Sequence, residues 1–254
     1  MGESVKDISM LSMIFLYLLS GGLTLILYVL NLGIVKDFLT SLLRMSVQLF
    51  FGSIVLMYIF KINTYWIVLI FFTVMTIVAS HTIIKKSKVT GWFIYPVIFI
   101  VSFTMTFMFQ VVIVGNTIWY DSRYFITISG MVMGNSMNAC ALALERFNGE
   151  LKENGDLIET LFSFGANNFE AVSEFFKRSI RSALMPIITN MSSVGIVFFP
   201  GMMTGQILAG ADPGNAVKYQ IAIMVTIAIS VVLSTMLNLY FMMNRHFSKG
   251  IFKQ

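Results

Sequence analysis

The sequence predicts an all-α, polytopic membrane protein, and three observations lead there. Of its 254 residues, 57% are hydrophobic and only 11% are charged, whereas a soluble domain carries about 25% charged residues. Seven stretches each approach or exceed the roughly 20 apolar residues that a helix needs to cross a bilayer. The one long stretch that hydrocarbon could not hold, about 145–184, carries two amphipathic helical patterns. The chain therefore reads as a single transmembrane domain with a helical elbow between its fifth and sixth spans.

The spans are predicted at about 8–30, 38–60, 63–84, 92–114, 124–144, 185–208 and 216–243. Gly21 and Gly22 interrupt the first. Arg44 lies a short way into the second, with Gln48 one turn further on the same face; the arginine either snorkels to the interface or lines water. Pro96 sits near the start of the fourth. Pro186 is expected in the first turn of the sixth, where proline is tolerated, and Pro200-Gly201 is expected to kink or break that span.

Within the elbow, Asp156 stands three residues before Glu159, and Asn167 three before Glu170. Each pair has the form of a capping box. The spacing predicts helices over about 157–164 and 168–184, broken near Gly165. Glu174 and Arg178 form an i,i+4 pair in the favourable order. Such an elbow is either a surface hairpin joining two spans or a lever for a soluble partner.

Basic residues set the expected orientation. With the Lys85/Lys86/Lys88 loop in the cytoplasm, only Lys6, Lys61, Arg123 and Lys218 of the 17 lysines and arginines fall on the other side. This puts the N-terminus outside and the C-terminus and elbow in the cytoplasm. The chain is expected in the cell membrane, surrounded by lipid. The net charge of +5 is thereby a topology signal rather than a nucleic-acid one.

Several chemistries are excluded by pattern. There is no Gly-Lys dipeptide, hence no phosphate-binding loop of the Walker type. There is no nucleophile elbow and no zinc-protease helix. No pair of titratable residues falls in one membrane layer to act as acid and base. Cys140 is the only cysteine, and His81 and His246 lie far apart. No metal site can be assigned.

The fifth span carries Gly130 and Gly134 at GxxxG spacing, followed by Asn135, Met137 and Asn138. The glycines suit close helix packing. The amides need partners in hydrocarbon, either as glue toward Asn190, Ser192 and Ser193 or as the lining of a translocation path. A second GxxxG, Gly201 to Gly205, is followed by Gln206. Met131, Met133, Met137, Met202 and Met203 cluster around the two motifs. Thioethers ligate soft cations but also pack well; without acidic or histidine companions, packing is the preferred reading.

Three stretches together resemble one family: Gly134-Asn135-Ser136-Met137-Asn138; Glu159 with Gly165-Ala166 and Glu170-Ala171; and the run from Pro200 to Pro213, PGMMTGQILAGADP. They resemble the FetB-type permeases, the membrane subunits of a bacterial iron-export ABC transporter, to which the plant aluminium-tolerance half-transporters are similar. The resemblance covers nearly the whole chain. It implies a homodimer of this chain working with a separate ATPase, which alone binds ATP and magnesium; no cofactor is expected on this chain. It implies that Glu159, Phe162, Phe164, Gly165, Ala166, Asn167 and Glu170 belong to a coupling helix. Gln48, Asn135, Met137, Asn138, Met202, Met203 and Gln206 would face the path, and Gly130, Gly134, Pro200, Gly201 and Gly205 would serve packing or hinging. Glu159 and Gly165 also match the spacing of the EAA---G motif of ABC importers, but Thr160, Leu161 and the distant Pro186 depart from it, so no import role is inferred. The alternative from another class is a gradient-driven carrier or channel, against which the lack of intramembrane carboxylates argues.

Overall fold

The computed structural model describes residues 8–248; Lys6, Lys249 and Lys253, used above for orientation, lie outside the described residues. The described chain is helical throughout, with one isolated bridge between Val194 and Phe198 and no strand. In order, the helices are α1 (Met10–Val29), α2 (Val35–Ile62), α3 (Tyr65–Ser87), α4 (Ile94–Met108) with a π-helical continuation (Phe109–Ile113), α5 (Ser122–Glu153), α6 (Gly155–Ser163), α7 (Asn168–Ser193), α8 (Gly201–Leu208) and α9 (Pro213–Ser248). Five of these segments are long and apolar enough to cross a membrane: Met10–Val29, Val35–Ile62, Tyr65–Ser87, Ile94–Ile113 and Pro213–Phe247.

The chain divides into two compact units. The smaller is built on α1 and α2, which pair through a 2.6 Å hydrogen bond between the Tyr17 and Ser46 hydroxyls. Helix α1 runs unbroken through Gly21 and Gly22. Arg44 and Gln48 are both exposed on α2.

The larger unit packs α3, α4, α7 and α9 around α5. Helices α3 and α5 lie side by side in the same direction: the Asn63 side chain accepts from the Ser122 N–H at 2.9 Å, and Lys86 donates to Asn138 at 3.4 Å. Fifteen side chains of α5 are buried, among them Phe125, Val132, Leu144 and Phe147. This explains its composition. A helix shielded by its neighbours needs no apolar coat of its own, so α5 can be long yet less apolar than the five span segments.

Membrane helices gain little from hiding apolar surface from lipid, so packing contacts hold them together. Phe72 supplies many of these. It is fully buried, and its ring meets those of Phe99, Phe103 and Phe125 at 5.2, 5.7 and 5.7 Å. Trp119, Tyr120, Tyr65 and Trp66 gather at the end of the bundle where α3 and α5 begin, as expected of an interfacial aromatic belt.

The predicted sixth span is the main correction. The elbow's second helix does not stop at 184: α7 runs from Asn168 to Ser193 without interruption. Pro186 therefore lies inside a helix rather than in its first turn, leaving the Ser182 carbonyl without its usual amide partner. The expected break is present and spans 194–200, with Pro200 its last residue, so that the short α8 begins at Gly201. Likewise α5 continues through 145–153, so only 154–167 forms the hairpin of the elbow.

Candidate functional site

Two features of the larger unit stand out: the elbow, and the polar faces of α5 and α9. The elbow is made rigid by two consecutive caps. Helix α6 closes in a Schellman motif, in which Ala166 N–H reaches the Leu161 carbonyl at 3.0 Å and Gly165 N–H reaches Phe162 at 2.9 Å. The motif needs a left-handed residue, and Gly165 supplies it at φ 88°. Two residues on, the predicted capping box opens α7: the Asn167 side chain accepts from the Phe169 and Glu170 amides at 3.0 Å each, and Glu170 accepts from the Asn167 N–H at 2.8 Å. The other predicted box is absent. Helix α6 starts at Gly155, so Asp156 already lies in its first turn rather than at the N-cap. Replacing Asn167 with Ala is expected to cost about 1 kcal/mol of local helix stability, measured as faster amide exchange in the first turn of α7 with unchanged exchange in α5.

The inner side of the elbow is anchored. Ile158 is fully buried, Phe162 meets Phe247 at 5.6 Å, and Phe176 packs between Phe147 and Phe169 at 6.1 and 5.9 Å. Its outer side is open. Phe164, at the apex, is 85% exposed, and Glu159, Asn167 and Glu170 are exposed around it, with Ala166 half-buried. The ring is thus presented outward by a turn capped on both sides. Glu174 and Arg178 do pair, at 3.2 Å, but both are exposed, so the pair adds little stability.

The elbow shares its end of the unit with most of the basic residues. Arg245 donates to the Thr90 carbonyl at 2.6 Å, beside Lys88 and the Asn148 side of α5. Lys85 and Lys86 end α3 there, and Arg146 pairs with Glu150 at 3.6 Å.

On α5, the predicted path residues face outward. Asn135 and Asn138 are both exposed, and Met137 is half-buried. The Asn135 amide donates to its own helix at the Met131 carbonyl, 2.8 Å away, and Asn138 accepts from Lys86. The expected bridges to the end of α7 do not form: Ser192 and Ser193 donate instead to the Ile188 and Thr189 carbonyls. Nor do the glycines serve close packing within one chain. A side chain at Gly134, Gly201 or Gly205 would meet nothing within 4 Å, and one at Gly130 would meet only the Met75 methyl at 3.5 Å. On α8, the consecutive Met202 and Met203 face different cavities, and Gln206 is half-buried.

The buried polar contacts between α5 and α9 are ones sequence reading missed. Ser136 on α5 bonds Ser230 on α9 at 2.9 Å. One turn along, Cys140 lies 3.8 Å from the Thr235 hydroxyl and 3.6 Å from the Asn238 amide. On α9 the buried Thr226, Ser230, Ser234 and Asn238 recur every four residues; on α4 and its π-helical continuation so do Ser102, Thr106 and Gln110. That spacing was the available signal. No group of three or more His, Cys, Asp or Glu that could hold a metal occurs among the described residues.

Comparison with known proteins places these features. The chain is 36% identical over 197 residues to the UPF0014 membrane protein slr1647 of Synechocystis, covering 76% of each chain. It is 30% identical over 210 residues to the probable iron export permease protein FetB of Escherichia coli, covering 83% of this chain and 81% of that one. It is 28% identical over 223 residues to the protein ALUMINUM SENSITIVE 3 of Arabidopsis thaliana, covering 87% and 81%. No solved structure matches. The sequence model of the Uncharacterised protein family (UPF0014) matches residues 10–247, and with nearly the whole chain matched, this multi-helix, permease-like membrane protein belongs to that family.

Proposed function

We propose that this chain is the membrane-spanning permease subunit of an ABC transporter that exports iron or a related metal ion, works as a homodimer, and is driven by ATP and magnesium in a separate ATPase. The observation that carries the proposal is the exposed Phe164 at the apex of a doubly capped elbow. The ring stands outward on a turn fixed by caps on both sides, which leaves it placed to enter a partner's pocket. The ATPase would seat on Phe164, Glu159 and Glu170, and α5 and α7, which flank the elbow directly, would carry its motion into the bundle.

Two further features support the reading. Asn135 and Asn138 lie exposed on one flank of α5, with Asn138 bonded to Lys86 near the elbow end of α3. A second copy facing this flank would enclose a polar path between the two chains. The basic residues at the elbow end support a cytoplasmic elbow and C-terminus, with the N-terminus outside.

The test is co-expression with any P-loop ATPase found encoded beside this gene, followed by purification through a tag on this chain. Stoichiometric ATPase, with metal transport in vesicles that stops without ATP, is the expected result. Transport by the lone chain down an imposed gradient would support a carrier instead.

A further inference from the structure

The predicted reading of the methionines was packing. One cavity changes it. Between the end of α7, the 194–200 loop, α8 and α9 lies a pocket of about 450 Å³. Three methionines line it, one from each surrounding helix: Met191, Met203 and Met224. Gln220 lines it as well, one turn before Met224 on the same face of α9. Gln220 is 5% exposed, and its Oε1 is buried with no hydrogen-bond partner. A buried amide oxygen without a partner is costly, and the three thioethers border the same space as the Gln220 side chain. No charged residue lines the pocket.

We infer that this pocket binds a soft monovalent metal cation of the Cu(I) or Ag(I) class, held by the Met191, Met203 and Met224 sulfurs, with the Gln220 side chain on the same wall. Thioethers select soft ions. A divalent ion would need carboxylates to offset its desolvation, and none is present, whereas a monovalent ion bonded to sulfur carries the smallest uncompensated charge. Methionine's three rotatable bonds let the sulfurs converge on an ion from separate helices. The 194–200 loop, held by the 3.0 Å bond from Gly195 N–H to the Phe198 carbonyl, forms one wall of the site. The inference goes beyond the permease reading and does not depend on it.

Ag(I), a redox-inert probe, is the ligand to use. The purified chain, without ATPase or nucleotide, is loaded with Ag(I) against a competing thioether chelator, and bound silver is measured after desalting. Wild type is expected to retain one ion per chain. M203L/M224L, which keeps side-chain volume, removes two direct ligands and should weaken retention by more than the roughly 10–100-fold that loss of outer-shell support alone costs. Q220L should weaken it less. M133L, at a buried methionine of α5 outside the pocket, should leave it unchanged. Equal silver retention by wild type and M203L/M224L would overturn the inference, as would a co-purified phospholipid, seen by native mass spectrometry, that the double variant releases while silver uptake stays constant. Because no ATPase is present, failure here leaves the elbow docking untouched, and failure of docking leaves silver binding untouched.

Discussion

Phe164→Asp is expected to abolish co-purification of the ATPase while leaving this chain folded. The ring is 85% exposed and makes no contribution to the bundle, so the substitution should not shift the unfolding temperature. At an interface, however, loss of a central aromatic anchor typically costs about 2 kcal/mol or more, roughly a thirtyfold weakening. A carboxylate forced into the same pocket adds a desolvation cost. The backbone should hold its shape because the turn is set by Gly165 and the Asn167–Glu170 box, not by the ring. Size-exclusion chromatography and thermal unfolding of the isolated variant check the fold; the bound ATPase is then read from the tagged complex. Undiminished association with an intact variant would remove Phe164 from the interface.

Phe72→Ala is expected to show the opposite pattern, a large stability loss in the isolated chain. Phe72 is fully buried and joins three rings on α4 and α5. In a bundle held by packing rather than by escape from water, a cavity there forfeits contacts that lipid cannot replace. Phenylalanine truncations in packed cores cost about 3–5 kcal/mol, and the substitution should act within that range through α3–α4–α5 docking. Thermal unfolding in detergent measures it. A shift no larger than that of an exposed control such as Phe50→Ala on α2 would mean that the aromatic cluster does not organise the larger unit.

Local chemistry made the elbow legible. Asn167 and Glu170 three apart, and Gly165 two residues earlier, are signals that act within one turn of chain, so they read the same in sequence and in structure. The all-helical membrane class was equally readable, because length and apolarity decide it. What failed were inferences that needed neighbours. The continuity of α7 through Pro186 is invisible to hydropathy, since the segment changes from amphipathic to apolar without breaking, and proline is tolerated where surrounding groups can satisfy the freed carbonyl. Asp156 met the capping rule but lay inside a helix that started earlier. Asn135 and Asn138 read from sequence as amides needing partners, yet which side of α5 they occupy depends on where α3, α4, α7 and α9 sit. The Ser136–Ser230 and Cys140–Thr235 contacts were hidden for the same reason: serine and threonine barely alter an averaged hydropathy, and only their four-residue recurrence on α9 and α4 marks a buried stripe.

The account turns on where the elbow's apex lies and what it touches. Cys140 is buried, so a Phe164→Cys substitution places one accessible thiol on the chain. The decisive measurement is crosslinking of that thiol in membrane vesicles of known orientation. The expected result is a covalent adduct with the ATPase subunit, formed from the cytoplasmic face and sensitive to bound nucleotide. Labelling of the thiol only from the opposite face, or complete absence of an adduct while the two proteins co-purify, would contradict it.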